Sequence, residues 1–212
     1  MEINLIMPCT LQPYKGAASN RKEKLERAIK SFLEQDYENK NLIIIADGCQ
    51  DTINFVKSKY SHEKRIKSFF ISKQPLFSGN VRQFGLNMSG NADLIAFLDS
   101  DDLLKEKNHI SNIARAFKEN PNLNWVYFND YIKYHQVDHI PLAQREANLS
   151  YGSIGVSHIA HKNIPNINWE GCDGYGHDFT FVKKLIDNYP DSYSKIQGCS
   201  YVCCHIPESC DS

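Results

Sequence analysis

Three aspartates follow an apolar run where residues 94–104 read LIAFLDSDDLL. If the backbone stays extended there, Asp99 and Asp101 point to the same side, since side chains alternate along a strand. Carboxylates placed in this way suit a hard divalent cation such as Mg²⁺ or Mn²⁺, which proteins hold with one or two carboxylates plus substrate phosphates. The alternative is a turn with helix capping, because Ser and Asp favour N-caps and acidic residues favour first helical turns.

Further candidate residues end or begin other elements. Asp47, in ADGCQDT at 46–52, follows an apolar run and is either part of a turn or an acceptor for the N–H groups of a nucleobase. Asp178 follows two glycines in GYGHDFTFVKKL and precedes an amphipathic pattern. It is either a helix N-cap or a general base that reaches the proton of an acceptor. His205 ends a strand-like segment, where a lone histidine is more often structural than a ligand.

Alternating strand and helix patterns must position these residues. The first half predicts strands at 3–7, 41–47, 66–72 and 94–98, and helices at 21–35, 52–60, within 78–90, and at 105–119. The second half predicts strands at 124–135, 151–161 and 198–206 and a helix that follows the glycines before Asp178. Asp51 is the expected cap of the helix at 52–60. This alternation predicts a single α/β domain over 1–212, with a doubly wound, mostly parallel sheet flanked by helices and a mixed β half.

Composition limits the classes of function. The chain has 212 residues, 42% of them hydrophobic and 23% charged, with a net charge of −1. The near-neutral net charge argues against electrostatic binding of nucleic acid. No apolar run has the length of a membrane span. The apolar N-terminal stretch is too short for a signal peptide. We therefore expect a protein that is cytoplasmic or held peripherally on a membrane.

The seven cysteines form no CxxC pair. Without a secretory signal, free buried thiols are the default interpretation. The cluster at 199–210 has a spacing that matches no standard zinc finger, so structural zinc is disfavoured.

The order of these motifs resembles the inverting family-2 glycosyltransferases of GT-A fold. The resemblance runs from INLIMPCT to CHIPES, over nearly the whole chain. Its most specific segments are SFLEQDYENKNLIIIADGCQDT and GNVRQFGLNMSGNADLIAFLDSDDLL. It implies a metal-dependent, inverting transfer of a sugar from a nucleotide-sugar donor, most often UDP-linked, to an acceptor hydroxyl. The acceptor would be a glycan, a lipid-linked molecule or a protein, and no nucleic acid is expected.

The resemblance implies a donor site in residues 1–104. The residues that would border the nucleotide base are Pro8, Cys9 and Asp47, while Arg82 would lie near the nucleotide or its phosphates. Asp99 and Asp101 would form the D-x-D pair that contacts ribose and metal. Asp102 would lie close behind, and His205 would complete the site for Mn²⁺ or Mg²⁺.

The resemblance also implies an acceptor-binding and catalytic half in residues 105–212, with Asp178 as the general base. The residues that we expect near the acceptor are Tyr151, Trp169, Tyr175 and His177. The three aromatic rings could stack on a sugar face, although core packing is an equal alternative for each.

Four departures from the family pattern stand out. His177 replaces the usual Glu before the base, and Ala46 replaces the first Asp of D-D-G-S. Gln83 replaces the usual Asn after the arginine, and the pair Cys203 and Cys204 occupies the region of an arginine that helps to hold the diphosphate. Two rival interpretations therefore remain: a non-catalytic nucleotide-sugar-binding module or partner subunit, and a sugar nucleotidyltransferase. PCTLQPYKG makes a poor phosphate loop for the latter.

Overall fold

The structure is a computed structural model that describes residues 1–14, 17–132 and 143–204. Its strands are β1 (Ile3–Cys9), β2 (Lys40–Asp47), β3 (Ile66–Ile71), β4 (Leu94–Phe97), β5 (Leu103–Leu104), β6 (Trp125–Tyr127), β7 (Asp130–Ile132), β8 (Ala143–Arg145), β9 (Ile159–Lys162), β10 (Tyr193–Lys195) and β11 (Tyr201–Cys203). Its helices are α1 (Arg21–Leu33), α2 (Gln50–Tyr60), α3 (Asn80–Met88), α4 (His109–Glu119) and α5 (His177–Asn188), with a 3₁₀ helix at Val156–His158.

The larger sheet has seven strands in the order β10-β6-β9-β4-β1-β2-β3. All its neighbouring pairs are parallel except the two that β9 makes with β4 and β6. Its central strands are apolar along their whole length because both faces are covered. The predicted α/β class with a mostly parallel sheet is confirmed.

Helices cover both faces of this sheet. On one face, Leu5 and Ile44 belong to the same core cluster as Ile29 of α1 and Ile113 of α4. On the other face, Ile6 and Phe97 pack in a cluster with Phe181 of α5. Neighbouring strand residues thus supply opposite cores, as the period of two requires.

A second sheet of four strands has the order β5-β11-β7-β8. Its strand β11 pairs antiparallel with β5 and parallel with β7. Since β5 directly follows the three aspartates, this sheet brings a segment from the end of the described chain against the acidic run.

Several predicted elements need correction. The predicted helix 105–119 begins at His109, because residues 103–104 form β5 and residues 105–108 turn between that strand and the helix. The predicted strand 124–135 is divided, since β6 belongs to the larger sheet and β7 to the smaller one. Residues 151–158 of another predicted strand form turns and the 3₁₀ helix, and β9 contains the rest. The last predicted strand, 198–206, is limited to β11 within the described residues.

Neither Asp51 nor Asp178 is a helix N-cap, so the cap expected at Asp51 is wrong and the capping alternative for Asp178 does not apply. Helix α2 begins at Gln50 with Cys49 as its N-cap, so Asp51 lies inside the first turn. Helix α5 begins at His177, and its N-cap is Gly176 in a left-handed conformation with φ 86°. Asp178 therefore lies in the first turn, where its charge is favourable to the helix dipole without capping it. None of the helices in the described ranges is long and apolar enough to cross a membrane.

Candidate active site

Strand order places several candidates at one edge of the larger sheet. The chain passes from β1 through β2 to β3 on one side of β1, and β4 lies on its other side, parallel to it. The carboxyl ends of β1 and β4 therefore flank a topological switch point, the place where open α/β sheets bind ligands. Cys9 ends β1, Asp47 ends β2, and Asp99 lies two residues after the end of β4.

Arg82 of α3 joins the two halves of the site. Its Nη2 donates to Oδ1 of Asp99 at 2.9 Å, and its Nη1 lies 3.7 Å from Oδ1 of Asp178. The buried guanidinium also stands over the ring of Trp169, 5.3 Å from the ring centroid. One buried cation thus holds together a carboxylate from the acidic run and the predicted base.

The charge state of Asp99 reflects this crowding. Burial raises the pKa of its carboxyl to about 6, and the negative charges of Asp178 and Asp101 add to that rise. The Arg82 guanidinium acts in the opposite direction and limits the increase. A positive charge brought by a ligand would relieve the same repulsion.

Asp102 has a structural role within the acidic run. Its Oδ2 accepts a hydrogen bond from the Tyr201 hydroxyl at 2.6 Å, and its Oδ1 accepts one from the Cys204 backbone N–H at 2.5 Å. The side chain is buried, and burial raises its pKa well above the ordinary range, with the charges of Asp101 and Asp99 adding to the effect. The prediction of Asp102 as a metal ligand needs correction, because protein donors already occupy both of its oxygens.

Asp101 differs from its neighbours. Its side chain is partly exposed, and its carboxylate makes no hydrogen bond to the described residues. No three His, Cys, Asp or Glu side chains within that part of the chain form a ready-made metal site. Asp101 therefore fits an ion whose remaining ligands come from substrate phosphates and water, as is usual for Mg²⁺. The predicted ligand His205 lies outside the described residues.

Asp178 is accessible to a substrate. Its side chain is about one-third exposed, and Oδ1 lies 3.2 Å from Nε2 of His177. That oxygen is buried and forms no hydrogen bond within the described residues, so the exposed part of the side chain lies away from it. A substrate would therefore meet the other carboxylate oxygen, Oδ2, and an accessible carboxylate oxygen can accept a proton, as a general base must.

His177 occupies the position before the base as a neutral side chain. Burial lowers the pKa of its imidazole, and the Arg82 guanidinium lowers it further, while Asp178 opposes both effects. Its Nε2 lies 3.2 Å from Nη1 of Arg82. Because arginine is always a donor, the neutral imidazole accepts this hydrogen bond. His177 therefore replaces an acid by an uncharged acceptor and is not itself exposed to an acceptor sugar.

The residues predicted around the base of the nucleotide are only partly available. Asp47 Oδ2 pairs with Lys73 Nζ at 2.5 Å, and its Oδ1 accepts the Gln74 backbone N–H at 2.7 Å. The Cys9 thiol is buried, which raises its pKa to about 11. Pro8 is partly exposed on β1. A nucleobase would therefore meet Asp47 together with Lys73.

The three predicted acceptor aromatics separate into two groups. Tyr151 and Tyr175 are 63% and 84% exposed. Trp169 is only 2% exposed, and its ring stacks on Phe181 with centroids 4.1 Å apart and an interplanar angle of 7°. The prediction of Trp169 as a sugar-stacking ring is wrong, and core packing, the alternative, is correct.

Sequence reasoning missed two residues of the site. Tyr201 supports the acidic run from β11, 99 positions after Asp102. Phe77 is exposed beside Tyr175, with ring centroids 5.6 Å apart. The tyrosine had no sequence pattern that marked it, and Phe77 lies in a short segment between a strand and a helix that gave no periodicity.

The chain matches a known family over most of its length. Residues 17–185 match the family described as Glycosyl transferase family 2. Among curated relatives, poly(ribitol-phosphate) beta-N-acetylglucosaminyltransferase TarP of Staphylococcus aureus is 44% identical over 112 residues, which cover 48% of this chain and 31% of TarP. An uncharacterized glycosyltransferase of Haemophilus influenzae is 37% identical over 83 residues, or 38% of this chain and 32% of the relative. The chain thus spans about a third of the length of these relatives.

Solved structures share the fold. Residues 1–349 of S. aureus TarS superimpose with a TM-score of 0.71 at 16% identity, over 95% of this chain and 60% of that one. The same protein in complex with UDP-GlcNAc gives 0.69 at 15% identity, over 96% and 58%. The mannosyltransferase PcManGT of Pyrobaculum calidifontis, in complex with GDP-Man and Mn²⁺, gives 0.66 at 10% identity, over 96% and 56%.

Proposed function

The chain belongs to glycosyltransferase family 2, and from that premise we propose that it transfers a sugar from a UDP-linked donor to an acceptor hydroxyl with inversion, using Asp178 as general base. One observation carries the proposal. Arg82 contacts both Asp99, at the switch point, and Asp178, on α5. The donor side and the base therefore contact the same guanidinium, which brings the two groups of a single displacement into one site.

The donor follows from the switch point and from the neighbours. The TarS structures contain UDP-GlcNAc and UDP, and PcManGT contains GDP-Man, so a nucleotide sugar is the common ligand class. We propose that residues 1–104 bind this donor and residues 105–212 supply the base and most acceptor contacts. The acceptor would be a glycan, a lipid-linked molecule or a protein, and the expected cytoplasmic or membrane-peripheral location stays a prediction.

The chemistry would be a single displacement. Asp178 removes the proton from the acceptor hydroxyl while that oxygen attacks the anomeric carbon, and the bond to the nucleoside diphosphate breaks on the opposite side. Arg82 and the neutral His177 keep the base oriented. When bound at Asp101, Mn²⁺ or Mg²⁺ would supply positive charge for the developing charge on the diphosphate.

The test compares the wild type with Asp178→Asn. We expect the wild type to release UDP from a UDP-sugar in the presence of Mn²⁺. We expect the variant to lose about 10²–10⁴-fold of that rate, the usual contribution of a general base, while UDP affinity by calorimetry is unchanged. Asp187→Asn, an exposed site on the same helix that pairs with Lys183, is the matched control and should keep full activity.

The rival interpretation as a non-catalytic module rests on His177 in place of the usual Glu. If neither wild type nor variant releases UDP from any donor of a broad panel, yet both bind UDP, the enzymatic proposal is refuted and the binding module is favoured. A nucleotidyltransferase would instead form the UDP-sugar and release pyrophosphate from UTP and a sugar 1-phosphate, which a separate assay with those two substrates detects.

A further inference from the structure

Phe77 has a strained backbone at the rim of the site. Its φ is 59°, the one positive value at a non-glycine residue in the described part of the chain. A bulky residue in this region costs roughly 1–3 kcal/mol and persists only when its surroundings hold it there. Such strain is concentrated at sites that bind or react. Packing of the ring does not explain this conformation, because the ring is 41% exposed.

Hydrogen bonds hold the segment that contains Phe77 against the loop that leads to α5. The Phe77 carbonyl accepts the Gly174 N–H at 3.0 Å, and the Gly79 N–H reaches the Cys172 carbonyl at 2.9 Å. The Ser78 hydroxyl and the Gly79 N–H both donate to Oδ1 of Asp173, at 3.0 and 3.1 Å. The position of the exposed ring is thus fixed before any ligand arrives.

Phe77, Tyr175 and Tyr151 form an aromatic rim beside the helix turn that carries the general base Asp178. The Phe77 and Tyr175 rings meet edge to face at 87°, and the Phe77 ring lies 5.9 Å from the His177 ring. Tyr151 lies against Gly176, where a Cβ would be only 2.9 Å from the tyrosine Cε2. The rim therefore contacts Gly176, two residues before Asp178, on one side and His177, the residue before Asp178, on the other.

The segments that carry the aromatic rings of the rim, residues 74–81, 148–159 and 170–179, contain no lysine or arginine and three acidic residues, Glu170, Asp173 and Asp178. The two cations that border the first segment are already paired, Lys73 with Asp47 and the buried Arg82 with Asp99 and Asp178. These segments therefore offer no cation of their own to a polyol phosphate or to an anionic lipid headgroup.

We propose that the aromatic rim is a stacking site for the C–H face of a neutral pyranose, so that the acceptor is a neutral glycan rather than a polyol phosphate. This inference rests on the proposed function, because the rim is an acceptor site only if Asp178 acts on an acceptor. It sets the chain apart from TarP, whose name specifies poly(ribitol phosphate). Rigid aromatic rings suit the apolar face of a pyranose, and the ring hydroxyls remain free to reach the base.

The test measures binding and transfer separately. The probes are methyl pyranosides of glucose, galactose and N-acetylglucosamine, with poly(ribitol phosphate) as the polyanionic alternative. Saturation-transfer NMR on the UDP-loaded protein reports pyranoside binding, and a coupled assay reports transfer from whichever UDP-sugar the wild type hydrolyses. We expect binding and transfer with at least one pyranoside and neither with the polyanion.

Two variants and one control test the rim itself. Phe77→Gly removes the ring at a φ that glycine adopts freely, so the backbone and the fold are kept. We expect Phe77→Gly and Tyr175→Ala each to raise the acceptor KM about fivefold to tenfold, the size of an aromatic contact. Phe70→Ala, at an exposed aromatic residue of β3, should leave the acceptor KM unchanged.

Three results overturn the inference while leaving the proposed function intact. They are transfer to poly(ribitol phosphate) in preference to the pyranosides, unchanged acceptor KM in both rim variants, and no pyranoside binding at concentrations well above about 1 mM. A fourth result, the loss of binding to anionic vesicles in the rim variants, would assign the rim to membrane binding and would also overturn the inference. Failure to hydrolyse any UDP-sugar, by contrast, counts against the proposed function.

Discussion

The Tyr201 hydroxyl donates to Asp102 Oδ2 at 2.6 Å and accepts the backbone N–H of Asp99 at 3.1 Å. Burial, with the charges of Asp102 and Asp99, raises the pKa of this hydroxyl well above its ordinary value, so it keeps its proton. One buried phenol therefore links the first and last aspartates of the acidic run and fixes the turn between them.

Tyr201→Phe should loosen that turn. We expect the free energy of unfolding to fall by about 1–3 kcal/mol, because a buried carboxylate loses a donor, and UDP binding to weaken with it. Urea unfolding and calorimetry measure the two effects. Tyr193→Phe is the control, since the Tyr193 hydroxyl makes no hydrogen bond to the described residues and its ring stacks on Trp125. Equal effects of the two substitutions would contradict the role given to Tyr201.

His177 is expected to act as a neutral acceptor for Arg82. His177→Gln keeps an acceptor of similar reach, so we expect UDP-sugar hydrolysis to stay within about threefold of the wild type. His177→Leu removes it and leaves an Arg82 donor without a partner, and the rate should fall about tenfold through misplacement of Asp178. Steady-state kinetics at neutral pH distinguish these outcomes, and equal rates in the two variants would show that the acceptor is not needed.

Asp101 should bind the metal with the diphosphate. We expect Asp101→Asn to weaken UDP binding about tenfold or more in the presence of Mn²⁺, because one charged ligand is lost, and to have no effect in EDTA. Isothermal titration in both buffers measures the difference. Asp93→Asn, an exposed site before β4, is the control. An equal loss of affinity in EDTA would count against a metal role for Asp101.

Two buried histidines should make the fold sensitive to acid. Burial lowers the pKa of His109 to about 3 and that of His161 to about 4, from an ordinary value of 6.5. Below that value the unfolded chain takes up protons that the folded chain does not. The contribution of the two histidines to stability is therefore complete above about pH 6.5 and falls as the pH is lowered, by about 1.4 kcal/mol per pH unit for each histidine, while the raised pKa values of Asp99 and Asp102 act in the opposite direction.

Urea unfolding between about pH 6.5 and 4.5 checks this slope. The imidazole Nδ1 of His109 accepts the Ser200 N–H at 2.9 Å, and Asn can accept in its place. We expect His109→Asn to lower the slope by about 1.4 kcal/mol per pH unit. His62→Asn, at an exposed position, should leave it unchanged. A slope that is the same in both variants would contradict the assignment.

Local patterns were sufficient to predict the framework of the site. The apolar run before Asp99 predicted β4 because a strand buried on both faces has a continuous apolar sequence. The order of strands and helices then placed Asp47 and Asp99 at one sheet edge. The predicted element boundaries were wrong at β5 and β7. These short strands form by pairing with β11, which lies far along the chain, and such pairing leaves no local sequence pattern.

The individual roles depended on contacts that sequence cannot show. Trp169 has the side-chain type of a sugar-binding ring, but Phe97 and Phe181 pack against it from other elements. Asp102 has the side-chain type of a metal ligand, but its oxygens accept hydrogen bonds from Tyr201 and from the Cys204 N–H. Exposure and hydrogen bonding depend on the tertiary structure. The residue type therefore limited the possible roles of each side chain but did not determine which role it has.

The connection between Asp102 and β11 also has a consequence for how the protein is made. The donors to the Asp102 carboxylate are encoded 99 and 102 positions after it. During translation, β1 to β4 can pair before those donors have been synthesised, and contacts of this separation form late. A nascent chain would therefore possess the parallel sheet before it possesses a shaped acidic run. Competence to bind the nucleotide would appear only as the last described strand joins.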